Sequence, residues 1–105
     1  MKAKLFIENI LIGNLELIIS DEFMGVLSGE LMPNENYNKF QKDIFNHFDK
    51  KGISNITDFN YRIILENDYE LNPEGGIGII HSRDYLNEIF VETSGNNIEE
   101  IKNFC

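Results

Sequence analysis

The sequence predicts an α+β fold. We expect an antiparallel sheet of about six strands in βββ-α-βββ-α order, with the central helix packed on one face. Three observations carry this. Several runs alternate apolar and polar residues, the period of a half-buried strand. One stretch, residues 35–50, repeats its apolar residues at helical spacing instead. The links between the first three apolar runs are too short for parallel crossovers, so those strands must pair antiparallel. At 105 residues the chain has the size of one domain.

Residues 3–12 open the chain with a β-prone run. Leu5, Ile7 and Leu11 share one parity, while Phe6, Ile10 and Ile12 share the other. That switch predicts a bulge or a strand covered on both faces. Gly13-Asn14 follows between two apolar runs and reads as a type II′ hairpin turn. Leu15, Leu17 and Ile19 give the return strand one apolar face. Ser20-Asp21-Glu22 turns the chain again. Phe23, Leu27 and Leu31 line a third strand, and Gly25 and Gly29 on the same parity leave room for a crossing helix.

Pro33 ends this meander, and Asn34 or Asn36 can cap the helix that follows. Tyr37, Phe40, Ile44 and Phe48 form its apolar stripe, widened by Phe45; Lys39, Asp43, Asn46 and Lys50 form the opposite face. Lys50 and Lys51 suit the negative end of the helix dipole, and Gly52 supplies a left-handed cap. Thr57, Phe59, Tyr61, Ile63 and Leu65 then alternate with mostly polar residues, which predicts a strand over 57–66. Residues 67–76 read as a polar, acidic connection. Ile77, Ile79 and Ile80 begin another strand, Ser82-Arg83-Asp84 turns, and Tyr85-Leu86 covers an edge. Ile89 and Val91 face one way and Phe90 the other in a last strand. Asn97-x-x-Glu100 resembles a capping box and opens a short helix, 98–104. The expected core is Leu5, Ile7, Leu17, Ile19, Phe23, Leu27, Tyr37, Phe40, Ile44, Phe48, Phe59, Tyr61, Ile63, Ile79 and Val91.

Charge narrows the function classes. Nine Lys and Arg face eighteen Asp and Glu, a formal charge of −9. Phosphate neutralisation needs clustered cations, so the composition argues against nucleic acid and against an anionic membrane surface. The second half carries most of the field: residues 53–105 hold three basic and ten acidic side chains. No apolar run is long enough for a membrane span. The first twenty residues carry two lysines before an apolar stretch, but Glu8, Asn9, Asn14 and Glu16 interrupt it. With no export signal and a single cysteine, the expected location is the cytoplasm. Cys105 ends the chain and is expected to have no catalytic role.

Few residues suggest chemistry. Gly75-Gly76-Ile77-Gly78 lacks the following Lys of a phosphate loop and opens a β-prone run, so it reads as a turn. Asp68, Glu70, Asn72 and Glu74 begin like a calcium loop, but Pro73 and Ile79 stand where that loop needs Gly and Glu. Asp43 and His47 are spaced for an ion pair on the helix. His81, Ser82 and Asp84 hold the residue types of a hydrolytic relay at spacings that point neighbouring side chains apart. No metal or other cofactor is expected. The first functional expectation is a small non-enzymatic protein-binding module, of the bacterial immunity or inhibitor kind. Asp58, Glu66, Asp68, Glu70, Glu74 and Glu92 would face a basic surface on another protein, such as a toxin or enzyme. The alternative is an anion-binding protein, in an oligomeric form, using Arg62, Arg83 and the backbone of Gly75, Gly76 and Gly78. A phage or structural assembly subunit is a further reading, because sheet edges invite pairing.

Overall fold

The computed structural model describes residues 1–104. The expectation for Cys105 lies outside the described residues. The chain is α+β, with a curled antiparallel sheet and two helices. Among the described residues the strands are β1 (Lys2–Ile7), β2 (Ile10–Glu16), β3 (Ile18–Asp21), β4 (Val26–Pro33), β5 (Ser54–Asn55), β6 (Tyr61–Leu65), β7 (Ile77–Ile80) and β8 (Phe90–Thr93). The helices are α1 (Gln41–Lys51) and α2 (Ile98–Phe104), with a 3-10 turn over Glu35–Lys39. The sheet order is β5-β7-β8-β4-β2-β1-β6, and β3 pairs β4 beside this path. Two short strands, β3 and β5, exceed the expected count of six.

The first hairpin turns earlier than expected. Its tight turn is Glu8-Asn9, with Glu8 at φ 57. Asn60 O accepts the Glu8 N–H at 2.9 Å, and Arg62 Nη1 donates to Glu8 O and Asn9 Oδ1 at 3.3 and 3.1 Å. These tertiary bonds hold a turn that local sequence does not advertise. Gly13 instead lies inside β2, where a Cβ would strike the Met32 carbonyl and the Leu31 side chain. It is glycine because β4 passes close, not because the chain reverses there. The expected parity switch is a register break between Leu5 and Phe6.

Gly25 and Gly29 receive no helix. A Cβ at Gly25 would overlap the Asn96 backbone, and one at Gly29 would overlap the Glu16 carbonyl. The helix α1 packs at the β5–β7 end of the sheet, not across its middle. It is also shorter than expected. Asn34 Oδ1 accepts from Asn36 N at 2.9 Å and starts the 3-10 turn, and Phe40, at φ −111, separates that turn from α1. Gly52, at φ 80, closes α1 as expected.

Most of the expected core is buried: Leu5, Ile7, Leu17, Leu27, Tyr37, Ile44, Tyr61, Ile63, Ile79 and Val91. Phe40, Phe48 and Phe59 are half-buried. Two residues are misassigned. Ile19 lies on the edge strand β3 and is exposed, and Phe23 sits in the β3–β4 turn at 95% exposure. The strand expected over 57–66 keeps only Tyr61–Leu65. Residues 56–59 turn instead, with Asp58 N and Phe59 N both donating to Asn55 O. The acidic connection is partly a third hairpin arm: Tyr69 O and Ile63 O accept the Leu65 and Leu71 N–H groups. Tyr85 and Leu86 are exposed rather than covering an edge.

Candidate functional site

The sheet's two ends meet at a polar seam. β5 and β6 are opposite ends of the strand order, yet Ser54 Oγ on β5 lies 2.6 Å from Tyr61 Oη on β6. His47 on α1 reaches the same hydroxyl, with Nδ1 at 2.8 Å. Its Nε2 stands 3.8 Å from Asp58 Oδ1, and Asp58 also accepts from Lys51 Nζ at 2.7 Å and Asn55 N at 2.9 Å. Partial burial pushes the Asp58 carboxyl up. The Lys51 and Asn55 hydrogen bonds and the nearby positive charge outweigh it, so the carboxyl titrates below its ordinary value. Burial drives the Tyr61 phenol well above its usual range.

His47 meets Ser54 Oγ, but at 3.8 Å its Nε2 is too far from Asp58 for the hydrogen bond of a hydrolytic relay, and Ser54 is fully buried. The trio ties α1 to the two ends of the sheet. The expected Asp43–His47 pair is replaced by this contact: His47 follows the buried Ile44 by one helical turn and packs edge-on against Phe59. His81 does not meet Ser82 and Asp84 as a relay either. Leu86 O, which can only accept, takes the Nε2–H at 2.9 Å. In the neutral ring Nδ1 then accepts from the Tyr37 hydroxyl, 2.8 Å away. Burial pushes that phenol strongly upward as well. Among the described residues, no group of three or more His, Cys, Asp or Glu side chains could hold a metal ion. No helix there is long and apolar enough to cross a membrane.

The six expected partner carboxylates divide. Asp58 belongs to the seam. Glu70 makes a two-pronged pair with Arg62, at 3.0 and 2.7 Å. Those hydrogen bonds, with the guanidinium charge, hold the Glu70 carboxyl below its ordinary value. Glu66, Asp68, Glu74 and Glu92 are exposed and have no ion pair among the described residues. Glu66 and Asp68 rim an open groove of about 560 Å³ on the outer face of β1, β2 and β6. Cross-strand register builds it. Lys4 stands opposite both Asn14 and Ile64, Asn14 opposite Met32, and Lys2 opposite Glu16. Phe6, Ile64 and Met32 give the groove an apolar floor. No helix covers it, and Met32 is 60% exposed. Sequence alternation placed Ile64 on the mostly polar side of its strand; only the sheet's register shows Phe6 and Met32 gathered on the same face.

The anion-binding set is scattered. Gly75, Gly76 and Gly78 do share a cleft of about 330 Å³. Ile53, Ile56 and Ile80 also line it, and its one charged residue is Glu92. Both arginines are elsewhere and already engaged. Arg62 serves Glu70 and the first turn. Arg83 pairs with Asp49, donates to Asn46 Oδ1 at 2.9 Å and lies over the Phe45 ring, tying the 82–84 turn to α1. A carboxylate with no free cation is poor company for an anion.

No family model matches the chain, and no curated protein or solved structure matches it either.

Proposed function

We propose that the chain is a non-enzymatic, cytoplasmic protein-binding module of the immunity or inhibitor kind, docking a basic surface of another protein. One observation supports this most: the outer-face groove combines an apolar floor, the exposed Met32 with the half-buried Phe6 and Ile64, with two carboxylates, Glu66 and Asp68, that make no ion pair among the described residues. An apolar centre with a charged rim is the anatomy of a protein interface. The field favours a cationic partner, since the second half holds ten acidic side chains against three basic ones. Lys2 and Lys4 in the same groove give the rim mixed sign, so the partner surface should carry some acidic groups as well.

The test compares the parent with a Glu66→Lys, Asp68→Lys double variant as bait in its host's lysate, at low and high salt. A basic protein held by the parent, weakened by salt and lost by the variant supports the reading. Capture that is the same for both baits removes this face from it.

A further inference from the structure

The outer-face groove holds two charges that a basic partner does not need. Lys2 and Lys4 are both exposed there, two residues apart on one side of β1. Neither makes an ion pair among the described residues, and neither do Glu66 and Asp68 in the same groove. The third carboxylate, Glu16, pairs with the Met1 amino group at 3.5 Å. The groove thus presents two cations and two carboxylates without charged partners of their own, around an apolar floor. A basic surface would gain from the carboxylates and be repelled by the lysines. A surface that satisfies both signs must itself carry free cations beside free carboxylates. This groove is such a surface.

Strand register makes it self-complementary. Lys4 stands opposite Ile64 across the β1–β6 pair. Two residues further along, Glu66 N donates to Lys2 O at 3.0 Å, which sets Lys2 and Glu66 side by side. A two-fold axis running along the strands between β1 and β6 lays β1 of one copy over β6 of the other. Lys2 of each copy then faces the other's Glu66, and the stem of each Lys4 lies over the other's Ile64. The contact is the same patch on both sides, so it closes at two copies. The rest of the chain points to the same face. At a formal charge of −9 two copies repel as whole bodies, and in this groove the signs alternate.

We propose that a second copy of this chain covers the groove when no other protein occupies it, so that the dimer withholds the docking face. That it withholds a docking face rests on the reading given above; the dimer itself does not.

The test is sedimentation equilibrium of the purified whole chain under reducing conditions. A concentration-dependent monomer–dimer equilibrium that weakens with salt is expected. A Lys2→Glu, Lys4→Glu variant should dimerise roughly 10-fold or more weakly, since like charges then face each other. Glu66→Lys with Asp68→Lys should do the same. Mixing the two variants should restore a dimer, now of one copy of each, because each supplies the sign the other lacks. A monomer mass across the accessible concentration range overturns the proposal. So does a dimer that the lysine reversals leave unchanged, or a mixture that stays monomeric. No lysate enters this measurement, so a failed dimer leaves the capture result standing, and a failed capture leaves the dimer standing.

Discussion

The two faces of the curled sheet are built from the same alternating strands and end in opposite states. The inner face is closed by Tyr37, Ile44 and the seam, and nearly every polar group near it is paired. The outer face leaves Met32 exposed, Phe6 and Ile64 half-buried, and Glu66 and Asp68 without an ion pair among the described residues. Alternation sorts residues into two sets without saying how completely each set is covered. Coverage depends on where the helices land, and α1 lands on one end of one face. Substitutions on the inner face should therefore change folding, and those on the outer face should change association.

The largest effect should come from Ile44→Ala. Ile44 is fully buried where α1 meets the sheet, so its loss leaves a cavity in a closed core. A destabilisation of about 2–5 kcal/mol is expected. Urea unfolding would read it as a lower midpoint at unchanged slope. A cost within the range of surface substitutions would mean that α1 does not seal the inner face.

Ser54→Ala should cost less, about 1–3 kcal/mol, because it leaves the Tyr61 hydroxyl without its partner in a buried place. The same unfolding assay checks it. Removing both groups, with Ser54→Ala and Tyr61→Phe together, should cost less than the sum of the single changes, since no orphaned hydroxyl remains. Additive costs would mean the two hydroxyls are not coupled and that the sheet ends are joined by other contacts.

How much of this was legible before the structure follows from the range of each signal. Local signals held. Gly52 ends α1, Asn97 Oδ1 accepts from Glu100 N at 3.1 Å, and Tyr61, Ile63 and Leu65 face inward while Arg62 does not. Signals that need a distant partner failed. Gly13 looked like a turn because its real reason, the approach of Met32, lies nineteen residues away. Phe23 looked like core because aromatic residues usually are. His47 pairs with Asp43 on i, i+4 spacing alone, but it also follows the buried Ile44 by three residues, and from that flank it reaches Ser54, a partner that helix spacing does not report. The candidate site was half legible: Glu66 and Asp68 were named, but the apolar floor they rim exists only through strand register.

Acid acts on the paired carboxylates of the seam and of the first turn. Asp58 and Glu70 both titrate below their ordinary values in the folded chain. Their folded pKa values are depressed, so their stabilising contribution is present above the unfolded carboxylate pKa. It is lost as pH falls through the folded values. Stability should decline below about pH 4, where unfolded carboxylates begin to take up protons. Asp58→Asn should flatten part of that decline, as read from urea midpoints at several pH values. An unchanged pH dependence in that variant would remove Asp58 from the linkage and leave Glu70 as the remaining contributor.

The smallest effect on folding should come from reversing Glu66 and Asp68 to lysine, and that smallness is itself informative. Both are exposed and make no ion pair among the described residues, so no native contact is lost. Asp68 sits at φ 69, a conformation that aspartate tolerates better than lysine, which adds a small strain. Against this, the formal charge falls in magnitude from −9, since each reversal adds two positive units, and self-repulsion weakens. The two terms oppose each other, and the net change should stay within about 0.5 kcal/mol, as for surface substitutions generally. A unit or more of destabilisation in the urea midpoint would show that the outer rim helps hold the third hairpin arm. The loss of partner capture by the same variant would then report unfolding of that arm and not a removed contact. A near-zero change makes the binding assay clean: the outer face could then be altered without disturbing the inner one.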